Sequence, residues 1–268
     1  MAKPLTSWLL GLLGRAKPQQ SVAQTQQSEL ELYLAASKGN NTALQQLRVR
    51  AEQGNKNAQF DLGFMYENGD GVPQDSAQAV QWYRKASEQG LSAARHSLGV
   101  MYANGKGVPK DLARAVQWYR KAAEQGLSAA QINLALMYEN GEGVRKNSAQ
   151  AVRWYRKAAQ QGDSTAQFNL GLMYYTGEGV PQDSAQAVQW YRKAAEQGYA
   201  KAQYHLGLLY RNGDGVPKEL VTAYMWFSLV AVQGIESART KRDSIERLMT
   251  ANQIAEAQRL IREWKPKR

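Results

Sequence analysis

The chain has 268 residues, of which 34 are basic and 23 acidic, giving a formal net charge of +11, and it contains no cysteine. The missing thiol excludes disulfides, cysteine-ligated zinc and thiol catalysis together, and leaves the redox compartment open. The charge invites a nucleic-acid reading, but it is concentrated at the ends. Residues 1–54 carry 6 basic and 3 acidic side chains and residues 235–268 carry 9 and 5, whereas residues 55–234 are close to balance at 19 and 15.

Residues 1–27 differ in kind from the rest. Leu5, Trp8, Leu9, Leu12 and Leu13 fall at helical spacing, in a run too short to span a membrane. Three readings stand: a frayed leader, a short helix resting on a membrane surface or partner through residues 5–13, or a signal peptide with a loose cleavage site near Ser21 to Ala23. The cytoplasm is the expected compartment unless the signal-peptide reading holds, in which case the protein is exported to the periplasm. Lys17 to Gln27, rich in Gln and Ser, reads as a linker. Residues 28–54 carry Leu30, Leu34, Leu44 and Leu47 around Lys38-Gly-Asn-Asn-Thr, the pattern of a shortened helix pair that caps an array at its N-terminal end.

From residue 55 a period of 36 takes over. Trp82, Trp118, Trp154, Trp190 and Trp226 keep that interval, and so do Gly54, Gly90, Gly126, Gly162, Gly198 and Gly234. A fixed period in this range means stacked supersecondary units. In the copy 55–90, Ala58, Leu62, Met65 and Tyr66 form a helical stripe, here termed helix A. Gly63 beside Leu62 suits a close approach by a neighbouring helix. Asn68-Gly-Asp-Gly-Val-Pro stops the helix. Asp75 with Gln78 makes a near capping box for helix B, whose broad apolar face is Ala79, Val80, Trp82, Tyr83 and Ala86. Gly90 is placed to end it with positive φ. The Trp series is read as core. The basic pair late in helix B, as in Arg84-Lys85, suits the helix dipole and the last carbonyls.

The later copies vary in informative ways. In the third, Arg145 replaces the loop proline and Asn147 still offers an N-cap. In the fifth, Glu219 is a weaker cap, and helix B is apolar enough to be buried against the C-terminal segment. Beyond Gly234 the pattern breaks. Thr250 and Gln253 form a capping box for a last helix striped by Ile254, Ala257, Leu260, Ile261 and Trp264, and Lys265-Pro-Lys-Arg ends the chain. Residues 235–268 read as a C-terminal cap with a basic tail, which is either a terminal cover or a docking element.

The motifs Ala-Gln-x-x-Leu-Gly-x-Met-Tyr, Gly-x-Gly-Val-Pro and Ala-Val-x-Trp-Tyr-x-Lys-Ala-Ala-Glu-Gln-Gly resemble Sel1-like repeats, relatives of the tetratricopeptide repeat. Five copies match, at 55–90, 91–126, 127–162, 163–198 and 199–234. The resemblance implies an all-α fold, a right-handed α/α solenoid of helix-turn-helix repeats between terminal capping helices, acting as a bacterial interaction scaffold.

In the tetratricopeptide relatives one row of helix A lines the concave groove. Carried onto this sequence, the row is Phe60, Phe64 and Glu67; then His96 and Val100; Ile132, Leu136 and Glu139; Phe168, Leu172 and Tyr175; and Tyr204, Leu208 and Arg211. Beside it lie Asp61, Ser97, Asn133, Asn169 and His205. An apolar row with interleaved polar groups marks an interaction surface, and its natural occupant is a peptide or a helix of a protein partner. Sealing of successive repeats competes with that role at the positions matching Phe64.

No catalytic constellation is visible, so the chain reads as a non-enzyme with no cofactor. His96 and His205 lack metal-ligand spacing. Gly69-Asp-Gly lacks the Gly-Lys-Ser/Thr of a phosphate loop. The expected function is a non-catalytic scaffold or adaptor. One alternative is binding of nucleic acid or an anionic membrane surface through the basic ends, which predicts a steep loss of affinity with salt. The other, drawn from the resemblance, is a cell-wall-related hydrolase or ligand-binding protein.

Overall fold

The computed structural model describes residues 20–267, with side chains from Glu29 onward. The apolar segment 5–13 and the three readings placed on it lie outside the described residues. Among the described residues there are fourteen α-helices and no strand, and no helix is long and apolar enough to cross a membrane. The chain divides into two compact units, one ending at Leu91 and the other beginning at Ser92.

The first unit contains α1 (Gln20–Ser37), α2 (Asn41–Glu52), α3 (Lys56–Asn68) and α4 (Ser76–Glu88). From Gln20 to Gln27 the backbone is helical as part of α1 where the sequence reads as linker, and Lys17 to Gln19 lie outside the described residues. Gln has good helix propensity, and no Gly or Pro interrupts the run before Ser37. Asn40 caps α2 by accepting from the Ala43 amide. Ala58, Leu62 and Met65 of α3 are buried against Tyr33, Ala36, Leu44, Leu47 and Ala51, so the helix-A stripe packs back onto the preceding pair.

The second unit holds four more A/B pairs and the C-terminal cover. The pairs are α5 (Ser92–Asn104) with α6 (Leu112–Glu124), α7 (Ser128–Asn140) with α8 (Ser148–Gln160), α9 (Ser164–Thr176) with α10 (Ser184–Glu196), and α11 (Ala200–Asn212) with α12 (Leu220–Ala231). Helices α13 (Glu236–Glu246) and α14 (Ala251–Glu263) complete it. Within this unit each pair packs on the next, and α12 is covered by both α13 and α14. Every residue of α12 from Ala223 to Ala231 is accordingly buried.

Local signals act as their chemistry dictates. Asp75 and Asn147 accept first-turn amides, Glu219 makes no side-chain cap, and Thr250 with Gln253 closes a full capping box. Gly63 has no Cβ because the Tyr83 ring lies where one would be, 2.6 Å away. The basic tail is tied down. Lys267 donates from its backbone to the Glu196 carbonyl at 2.8 Å and from Nζ to the Glu196 carboxylate at 2.9 Å, while Trp264 sets its edge on Trp226.

The periodic tryptophans differ from the core reading. Trp226 is buried, but Trp82, Trp118, Trp154 and Trp190 are only half-buried. The residue after each, Tyr83, Tyr119, Tyr155 or Tyr191, is the one sunk in the core. Ala79, Tyr83 and Ala86 at i, i+4 and i+7 form the centre of the helix-B stripe and Trp82 stands on its flank. The basic pair also has another role. Lys85, Lys121, Lys157 and Lys193 lie 4.1, 4.5, 4.2 and 4.2 Å over the tryptophan three residues earlier, a cation–π contact. Arg120 and Arg156 donate to the hydroxyls of Tyr138 and Tyr174 in the following repeat at 2.8 and 3.0 Å, and Arg192 does the same to Tyr210.

Candidate functional site

Helix A is packed on two sides, and this decides which residues of the expected row remain available. Phe60 is buried, its ring 5.5 Å from that of Tyr83 on helix B of the same repeat. Phe168 repeats the arrangement on Tyr191 at 5.5 Å, and Ile132 is buried beside Tyr155. These three are therefore corrected from groove to core: the helix-B aromatic occupies the space a ligand would need. Tyr204 stays half-buried with its edge on Phe227. Glu67 and Glu139 are half-buried and accept the hydroxyls of Tyr83 and Tyr155 at 2.7 and 2.6 Å. In the first unit Phe64 is half-buried against Tyr33 of α1.

The aliphatic members of the row in the second unit, Val100, Leu136, Leu172 and Leu208, are incompletely covered, and Val100, Leu172 and Leu208 also pack against the core. Three are half-buried, and Leu136 is 38% exposed. Ser97, Asn133, Asn169, His205, Tyr175 and Arg211 accompany them, all half-buried. Asn133 lies 3.0 Å from Nε2 of His96 and also hydrogen-bonds Tyr119. Burial pushes His96 down to about 4 and lowers His205, so both imidazoles are neutral at pH 7. Among the described residues no group of His, Asp and Glu could hold a metal ion.

Asp61 stands apart electrostatically. Its carboxyl is pushed up to about 8 by burial and then by the charge of Glu29, a residue whose two oxygens accept from Asn55 and Asn57. The folded protein keeps the Asp61 proton at pH values where the unfolded chain has lost it. The penalty is therefore absent below the unfolded value of 3.8, grows as pH rises, and levels off above about 8. Asp61→Asn should leave stability unchanged near pH 4 and raise it near pH 8 by on the order of a few kcal/mol. Denaturant melts of both proteins at the two pH values check this, and an equal effect at both would show that Asp61 titrates normally. His96 acts in the opposite sense: its contribution is present above 6.5 and lost as pH falls towards about 4.

A polar series absent from the sequence reading runs through the core. Gln59, Gln131, Gln167 and Gln203 are buried, and each donates to a carbonyl of the preceding helix B, at Ala51, Ala123, Ala159 and Ala195. The last helical turn of the same repeat answers, with Gln89, Gln161, Gln197 and Gln233 donating to their side-chain oxygens. Each buried amide is thereby satisfied. The signal was available as a polar residue recurring in a core register.

The recurring helix pairs have counterparts among known proteins. The Sel1 repeat family matches residues 56–91, 92–127, 128–163, 164–199 and 200–234. The crystal structure of a protective antigen from uropathogenic Escherichia coli strains, described as displaying an SLR fold, is 39% identical with a TM-score of 0.80. That match covers 91% of this chain and 55% of the antigen, so this chain spans little more than half of it. A Sel1 repeat protein from Oxalobacter formigenes is 38% identical with a TM-score of 0.72, over 76% of this chain and 83% of its own. No curated protein matches the chain. Five matched repeats, with an all-α repeat fold shared by solved relatives at this identity, place the chain in the Sel1 repeat family of helical-repeat solenoids.

Proposed function

We propose that the protein is a non-catalytic adaptor that holds a peptide or helix of a protein partner on the helix-A face of its second unit. Membership in a family of helical-repeat scaffolds is the coarser statement beneath this proposal. The observation that carries it is the row Val100, Leu136, Leu172 and Leu208, in which one aliphatic side chain per repeat is left incompletely covered beside half-buried polar groups, while Ile132 and Phe168 of the same row are buried. A row of apolar side chains at fixed spacing suits the anchors of an amphipathic helix or an extended strand. The half-buried Ser97, Asn133 and Asn169 beside it offer hydrogen bonds to a backbone or polar side chain.

Binding through the basic ends gains no support from the C-terminal tail, whose Lys267 is engaged with Glu196. The two readings separate in a capture experiment with the whole protein at low and high salt. Wild type is compared with the folded double variant Leu136→Asp and Arg211→Ser. A protein partner that is retained in high salt, lost with the variant, and crosslinked to the α7–α9 face is the expected result. Capture that ignores the variant and vanishes in salt would transfer the function to the basic ends, because counterion release drives such binding.

A further inference from the structure

The hydroxyl of Tyr191 is buried and has no hydrogen-bond partner, the single such side-chain atom found among the described residues. The other repeats provide internal controls. Tyr83 donates to Glu67 at 2.7 Å and Tyr155 to Glu139 at 2.6 Å, each within its own repeat. In the second repeat Ala103 stands in place of the Glu, and the Tyr119 hydroxyl oxygen accepts from Asn133 instead. In the fifth, Arg211 replaces the Glu and Phe227 replaces the Tyr, so donor and acceptor disappear together. The fourth repeat alone keeps the donor and has no carboxylate to receive it: Tyr175 takes the Glu position, His205 takes the Asn position, and neither is hydrogen-bonded to Tyr191.

The surroundings suit an incoming acceptor. The Tyr191 ring lies 5.4 Å from that of His205 and 5.5 Å from that of Phe168, and Phe168 also meets Tyr199 at 5.5 Å. Tyr175, which lies close enough to raise the Tyr191 hydroxyl further, is half-buried at the open side of the helix-A row. One repeat further along the same register, Arg211 makes no ion pair with any described residue. A phenol held in an apolar surround without a partner binds an anionic acceptor more strongly than it would in water.

We propose that Tyr191 is the donor of a carboxylate subsite, in which a Glu or Asp side chain of the bound partner takes the acceptor place that Glu67 and Glu139 fill in their own repeats. Tyr175 turns aside to admit it, and Arg211 supplies the unpaired positive charge. This rests on the helix-A face being the binding surface and adds the chemistry that the partner must carry there.

The test is a random dodecapeptide display library selected on the full-length protein, with selected peptides resynthesised and amidated at their C-termini. Expected are peptides that weaken with Leu136→Asp and contain an acidic residue whose change to the amide (Glu→Gln or Asp→Asn) lowers affinity roughly tenfold. The same change should have no effect on Tyr191→Phe, which keeps the ring and only removes the unpartnered hydroxyl, so its melting temperature should equal or exceed wild type. Tyr175→Glu, which restores an internal acceptor, should abolish the preference for acidic peptides. Leu136-dependent peptides indifferent to the acid, or an acid effect that persists in Tyr191→Phe, would overturn the subsite and leave the binding face standing. Peptides that lose binding on amidation alone would overturn it in favour of a chain terminus. An acid effect that needs Tyr191 but not Leu136 would uphold the subsite and overturn the aliphatic row. Peptides sensitive to neither variant would overturn both.

Discussion

Tyr155→Ala is expected to lower the unfolding free energy of the second unit by roughly 3–5 kcal/mol, the range for deleting a large buried aromatic. Tyr155 is fully buried in a cluster with Ala135, Ala151, Val152, Ala158, Ala166 and Leu170. It therefore joins helix A of its own repeat to helix A of the next, and its removal opens a cavity at the junction of two repeats. It also strips Glu139 of a 2.6 Å hydrogen bond, which adds about 1 kcal/mol. Trp154→Ala is the comparison. Trp154 is larger, but it is half-buried with Lys157 above its ring, so its loss should be smaller, about 1–3 kcal/mol. Chemical denaturation of both variants checks the ranking. If Trp154→Ala proved the more damaging, the assignment of the tyrosine series as the core anchor would be wrong.

Gly179→Ala should be comparably severe for a different reason. Gly179 has φ +77, and a Cβ there would lie 2.4 Å from the Ser148 carbonyl carbon and 2.5 Å from its oxygen. The left-handed backbone alone costs a non-glycine residue about 1–2 kcal/mol. The clash is with backbone at the start of α8 in the preceding repeat, which cannot swing away as a side chain can. Together these predict a loss of roughly 3–5 kcal/mol, measured as a drop in the denaturation midpoint. Gly177, two residues earlier, is the control: its φ is +75, but the nearest atom to an added Cβ is Gln182 Cβ at 3.1 Å. Gly177→Ala should lose only about 1–2 kcal/mol. Equal losses at both sites would mean that φ, and not the contact between repeats, decides the second glycine.

The proposed binding face was only partly legible in the sequence. Periodicity identifies which side chains share a row on helix A, and of these Val100, Leu172 and Leu208 are half-buried and Leu136 is exposed. It also grouped Phe60, Ile132 and Phe168 with them, and these are buried. A helical stripe reports one packed side, whereas helix A packs on two, against the preceding pair and against its own helix B. The Phe60–Tyr83 contact spans the loop between the two helices, and no window along one helix can reveal it.

By itself the sequence determined the repeat unit and its punctuation. The interval of 36, the breakers after Asn68, the caps at Asp75, Asn147 and Thr250, and the C-terminal cover over an unusually apolar α12 are all local signals, each tied to the backbone amides and φ values of a few adjacent residues. The tertiary structure alone decided which member of each Trp-Tyr pair is core, where the Arg and Lys of helix B point, and that glutamines close the contacts inside the stack. It alone left Tyr191 without an acceptor, because the partner of a buried hydroxyl is fixed by residues on another helix, 16 positions away for Tyr83 and Tyr155. Local backbone chemistry and the glutamine bonds repeat along this chain, whereas the acceptor of the helix-B tyrosine lies on another helix and differs between copies, present as Glu67 and Glu139 and missing for Tyr191.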